Sequence, residues 1–72
     1  PTKPLVIAER ARIRMRDRKV RLEWIELAVR SPDWSESDPD DRVVERRFRA
    51  IGEFGGRILR IACVETRQLF AL

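Results

Sequence analysis

Arg10, Arg14, Arg18 and Arg21 recur at helical spacing early in the chain, and Arg47, Arg49 and Arg60 alternate through two later extended segments. A guanidinium presents a planar fork of donors that matches two phosphate oxygens at once, so arginines gathered on one surface can seat a nucleic-acid backbone. The same residues also suit a solvated face held by helical pairs such as Glu26 with Arg30. The absences narrow the chemistry further. With no histidine and no tyrosine, the chain has no side chain that ordinarily titrates near neutrality, which excludes Ser-His-Asp and Cys-His arrangements within one copy. Zinc sites of the usual Cys and His types are excluded as well. Asp38, Asp40 and Asp41 suggest a calcium loop only superficially. Pro39 sits second, Val43 takes the sixth place that needs glycine, and Arg49 takes the twelfth, where glutamate is required. No metal and no cofactor is expected. Gly52 to Gly56 lies between extended segments rather than before a helix, so it is not a phosphate-binding loop.

What must position the second arginine group is the stretch 42–64. Two extended segments flank Gly55 and Gly56, which reads as a β-hairpin with those glycines as its two loop residues. Counting outward, Phe54 faces Arg57, Gly52 faces Leu59, Ala50 faces Ile61 and Phe48 faces Cys63. Opposed residues share a face. Phe48, Ala50, Leu59, Ile61 and Cys63 then form a core face, and Arg47, Arg49, Ile51, Glu53, Ile58 and Arg60 form a basic outer face. In this register the outer face carries no aromatic ring on which a base could stack.

The first arginine group falls on a helix expected over about 4–18. Thr2 is its expected N-cap, Pro4 lies in its first turn, and Ile7, Ala8, Ala11 and Met15 make one apolar stripe. A second helix is expected over about 20–30, ended by Pro32. Residues 33–41 read as an acidic solvated loop, with Trp34 capping an edge of the core. A short third strand is expected over 68–72, with Phe70 opposite Cys63. The fold class is therefore α+β: one domain over 1–72, two N-terminal helices packed on an antiparallel sheet of about three strands, in the order ααβββ.

Seventy-two residues with 39% charged side chains and a net charge of +4 lie near the lower size at which a core holds a fold unaided, so association is expected. Leu22, Trp24, Ile25 and Val29 leave more apolar helix surface than a three-stranded sheet covers, which points to a homodimer through the second helix. The lone Cys63 cannot form an internal disulfide and suits a reducing cytoplasm. No apolar run approaches the length of a membrane span, and there is no signal-peptide core.

Arg10-Ala11-Arg12-Ile13-Arg14-Met15-Arg16-Asp17-Arg18, then Trp24-Ile25-Glu26 and Ser31-Pro32-Asp33, then Ile51-Gly52-Glu53-Phe54-Gly55-Gly56-Arg57-Ile58-Leu59-Arg60-Ile61 together resemble the bacterial family called domain of unknown function 4258. That family is similar in outline to small ribonuclease toxins of the BrnT and RelE type, in which helices pack on a short sheet whose basic face meets RNA. Its first helix carries His-Ala-x-x-Arg-Met, and Arg10 stands here in the place of that histidine. Thr66 to Leu72 also departs from the family's closing strand. The resemblance implies a toxin-like domain that binds or cleaves RNA, with Arg14, Arg18, Glu53, Arg57 and Arg60 at matching positions. In that reading Arg14, Arg18, Arg47, Arg49, Arg57 and Arg60 hold nucleic acid. Glu53, Arg57 and Arg60 are the candidates for catalysis, with Glu53 as base and the RNA 2′-hydroxyl as nucleophile. The alternative is a non-enzymatic interaction module that pairs with itself or with an acidic, antitoxin-like partner.

Overall fold

A computed structural model describes residues 2–72. It contains, in chain order, β1 (Leu5–Val6), α1 (Glu9–Asp17), α2 (Leu22–Arg30), β2 (Trp34–Ser37), β3 (Glu45–Ile51), a 3₁₀ turn over Gly52–Phe54, β4 (Arg57–Glu65) and β5 (Phe70–Ala71). The strands form one five-stranded sheet in the order β1-β5-β4-β3-β2. It is α+β, with two helices and five strands instead of about three, and the sheet is mixed because β1 runs parallel to β5.

The two strands that the sequence pattern hides are both short edges. Residues 4–8, expected to open the first helix, are instead drawn out against the C-terminal segment. Phe70 N–H donates to the Pro4 carbonyl at 3.0 Å, Leu72 N–H to that of Val6 at 2.9 Å, and Ala8 N–H to that of Leu72 at 3.2 Å. Helix α1 therefore begins only at Glu9, without a side-chain cap. The acidic loop is likewise partly strand: β2 pairs antiparallel with β3, Trp34 opposite Phe48. Asp33 fixes its start, its N–H donating to the Phe48 carbonyl at 2.7 Å and its carboxylate accepting the Ala50 N–H at 2.8 Å. Local preference decides neither strand, since each depends on a partner distant in sequence.

Helix α1 ends at Asp17, within a residue of the end expected at 18. Val20 N–H reaches the Met15 carbonyl at 2.9 Å and Lys19 N–H that of Arg16 at 3.2 Å, the paired closure of a Schellman motif. Lys19 takes the left-handed position at φ 57°. The turn carries the chain into α2, whose Trp24, Ile25, Ala28 and Val29 join Ile51, Leu59 and Phe70 in the core. Leu5, Met15, Val20, Phe54, Ile61 and Leu72 pack around that cluster. Three of the four residues expected to cover a dimer face, Trp24, Ile25 and Val29, are thus buried within the chain itself, and only Leu22 remains exposed. A five-stranded sheet supplies the cover that a three-stranded one lacks.

The hairpin differs from its expected register. Its connection is the whole of Gly52–Gly56, a 3₁₀ turn followed by two left-handed glycines at φ 68° and 71°, closed by Gly56 N–H on the Ile51 carbonyl at 3.0 Å. Phe48 consequently pairs with Arg60 instead of Cys63, Ala50 with Ile58, and Ile51 with Arg57. The offset is an odd number of residues, and side chains alternate along a strand, so every residue of β3 changes face relative to β4. Ile51, Leu59 and Cys63 are buried on the face of the sheet that meets α2, while Phe48 and Ala50 turn to the outer face. Arg47 and Arg49 turn inward.

Candidate nucleic-acid interface

The inward turn of β3 gives two of the expected phosphate ligands another task. Arg47 Nη1 donates to the Val29 carbonyl, and Arg49 Nη1 donates to that of Ser31 at 2.7 Å. The last carbonyls of a helix have no partner within it, and these two arginines satisfy such groups at the end of α2. Arg47 also pairs with Glu45 at 2.6 Å and Glu65 at 2.9 Å, and lies 5.1 Å from the centre of the Phe70 ring. Burial opposes its charge, but the two carboxylates outweigh this and raise its pKa. Glu65 is held below the usual carboxylate range by Lys3 first and then by Arg47. With its side chain only 12% exposed, Arg47 is a strut between α2 and the sheet.

The remaining arginines come together elsewhere. Beyond Val64 and Glu65, where β5 pairs, β4 has a strand neighbour among the described residues only on the β3 side. Alongside this open edge runs α1, and between them lies a cavity of about 260 Å³ whose lining includes Ala11, Arg14, Met15, Arg18 and the β4 residues Leu59 to Ala62. Ala11, Arg14, Met15 and Arg18 are spaced three and four apart, so one stripe of α1 carries both arginines toward β4. A second cavity of about 670 Å³ shares Arg18, Val20, Leu59 and Arg60 with the first and continues to the hairpin end, where Phe48, Phe54, Arg57 and Ile58 complete it. It curls around the edge, since its lining takes residues from both faces of β4.

Arg14, Arg18, Arg57 and Arg60 therefore line one continuous groove. Among the described residues none of the four forms an ion pair, and no aspartate or glutamate lines either cavity. Arg57 is partly ordered by Phe54. Its guanidinium lies 3.8 Å from the ring centre, within cation–π range. Glu53 stands apart, 70% exposed, with Arg21 at 3.8 Å, and it lines neither cavity. Arg10 and Arg21 also lie outside the groove lining.

The outer face differs most from expectation. Trp34, Phe48 and Arg60 are opposed across β2, β3 and β4 and form one transverse row. The two rings stack with centroids 4.7 Å apart and planes 4° from parallel. Trp34 is 42% exposed and Ile58, in the neighbouring row, 54%. The outer face thus carries two aromatic rings where the shorter-loop register gave none. The signal that could have found them is the alternation Arg47-Phe48-Arg49 beside an isolated Trp34, but its face depends on the hairpin loop length. Just past the end of β2, Asp38 accepts the N–H groups of Asp40 at 2.8 Å and Asp41 at 3.2 Å. The Asp40 bond first, and Arg46 beside it, hold its carboxyl below the usual range.

No family model matches the chain, and searches of curated proteins and of solved structures return no match. No helix among the described residues is long and apolar enough to cross a membrane.

Proposed function

We propose that this chain is a toxin-like RNA-binding domain that holds the phosphate backbone in the groove between α1 and the open edge of β4. The observation that carries the reading is the convergence of Arg14, Arg18, Arg57 and Arg60 on that groove without a carboxylate among its lining. Four guanidinium groups gathered without counter-charges repel one another, and a polyanion relieves that repulsion while releasing its own counterions. The resemblance to the domain of unknown function 4258 family agrees with this, because all four are positions at which the patterns match. The reading is one of binding. Cleavage would need a base near the held phosphate, and Glu53 lines neither cavity.

Titration with a short single-stranded RNA at several salt concentrations tests this. Four phosphate contacts on a single strand give a slope of log affinity against log salt of about −3, and Arg60→Gln should reduce its magnitude by about 0.7. Absence of binding at low salt and micromolar RNA would refute the reading.

A second reading, a protein-interaction module, is favoured by the same open edge. Alternate backbone N–H and C=O groups of Arg57 to Cys63 face away from β3 with no strand partner among the described residues, which makes them a template for an added strand. The flanking arginines suit an acidic, extended segment of a partner. Binding of an acidic extended peptide in preference to RNA, with the edge amides of β4 protected from hydrogen exchange in the complex, would favour this reading over the first. A second copy pairing at this edge would instead double the particle mass in sedimentation.

A further inference from the structure

We infer that the outer sheet face selects single-stranded over double-stranded nucleic acid by stacking an unpaired base on Trp34, an inference that rests on the binding reading above. The parallel stack covers one indole face with Phe48. Trp34 remains 42% exposed on the edge strand β2, and with Phe48 against one indole face that exposure falls to the other, where a third ring fits. Base–aromatic stacking of this kind is indifferent to sequence, because every base has a π face.

Charge across the sheet sets the direction in which a strand lies. Arg60 ends the row at the groove, whereas the β2 side carries Asp33, Glu36, Asp38, Asp40 and Asp41, of which Asp38 is paired with Arg46. Phosphate is drawn to the β4 end and repelled from the β2 end. A ligand that fits both is anionic where it meets Arg60 and neutral, flat and aromatic where it meets Trp34. Trp34 and Arg60 are two strand spacings apart, ~10 Å, a distance that a strand covers within one or two nucleotides. Exposed Ile58 supplies an apolar floor beside the row. Duplex meets the arginines equally well, but its bases are already stacked within the helix and do not reach the indole.

Trp34 and Trp24 are the two tryptophans of the chain, and Trp24 is buried against Phe54 with ring centres 4.9 Å apart. Protein labelled with 5-fluorotryptophan therefore gives two fluorine resonances, assigned with Trp34→Phe. Titration with oligouridylate or oligothymidylate should move the Trp34 resonance and leave that of Trp24 in place, while a short duplex RNA should bind without moving Trp34. Oligouridylate and oligothymidylate together separate RNA from DNA as the source of the base. Trp34→Leu, checked for folding by circular dichroism, should weaken oligouridylate binding by about tenfold to a hundredfold and leave duplex affinity unchanged. Trp34→Phe should retain most of it. Arginine-dependent binding of oligouridylate with an unmoved Trp34 resonance, or equal losses for single strand and duplex in Trp34→Leu, would overturn the stacking and leave the groove reading standing. Failure of every oligonucleotide to bind at low salt would overturn both.

Discussion

Replacing Arg47 by methionine separates a structural arginine from a nucleic-acid ligand. Methionine keeps the apolar stem and removes the fork, so the changes are confined to the polar contacts and the ring contact. The Val29 carbonyl at the end of α2 loses its donor, and an acceptor left unsatisfied costs about 1–3 kcal/mol. The pairs with Glu45 and Glu65 add little, because those carboxylates are 42% and 43% exposed and such pairs are worth about 0.2–1 kcal/mol each. Loss of the cation over Phe70 adds about 0.5–1 kcal/mol. The expected destabilisation is about 2–4 kcal/mol, since the carbonyl regains some water at a helix end. For a domain of this size, whose whole stability is about 4–11 kcal/mol, that lowers the thermal midpoint by about 8 °C or more. Urea unfolding followed by circular dichroism reads it directly. Arg49→Gln, which loses one exposed bond to Ser31, should cost no more than about 1 kcal/mol. An Arg47→Met protein with an unchanged midpoint but weakened RNA binding would refute the assignment and return Arg47 to the ligand-binding surface.

The hairpin loop makes a second prediction. Gly55 and Gly56 are left-handed and a Cβ on either meets nothing within 4 Å, so Gly55→Ala should cost about 1–2 kcal/mol from backbone strain alone. Gly52→Ala, with equal space and no positive φ, should be neutral or gain up to about 1 kcal/mol; equal losses at the two positions in chemical denaturation would contradict the turn. A third concerns acid. The carboxyls of Asp38 and Glu65 lie below their ordinary values of 3.8 and 4.5 when folded, so their contribution is present above those values and is lost as pH falls through the lower folded ones. The thermal midpoint should fall below about pH 4, less steeply in Glu65→Gln, and a midpoint that rose on acidification over this range would oppose the assignment.

Much of the local structure was readable from the residues. The amphipathic repeat of α2, its end before Pro32, the break between helices expected over 4–18 and 20–30, and the extended segments either side of the glycines all follow from spacing and backbone preference, which act over a few residues. The stripe that puts Arg14 and Arg18 beside Ala11 and Met15 is of the same kind. What the residues did not contain was any relation that depends on a distant partner. Leu5–Val6 becomes a strand because Phe70–Ala71 lies beside it, and Trp34–Ser37 because β3 does. The hairpin shows the consequence for function. Glycine at 55 and 56 marks a turn but not its length, and the turn takes five residues because Phe54 packs on Trp24 at the rim of the core. That packing moves the register by an odd number of residues. It turns Arg47 and Arg49 in to the end of α2 and Phe48 out to meet Trp34. The sequence determined that the chain carries arginines in two groups; which of them are spent on the fold and which remain free beside the aromatic rings was decided only by tertiary packing, because a strand's two faces are distinguished by what covers them.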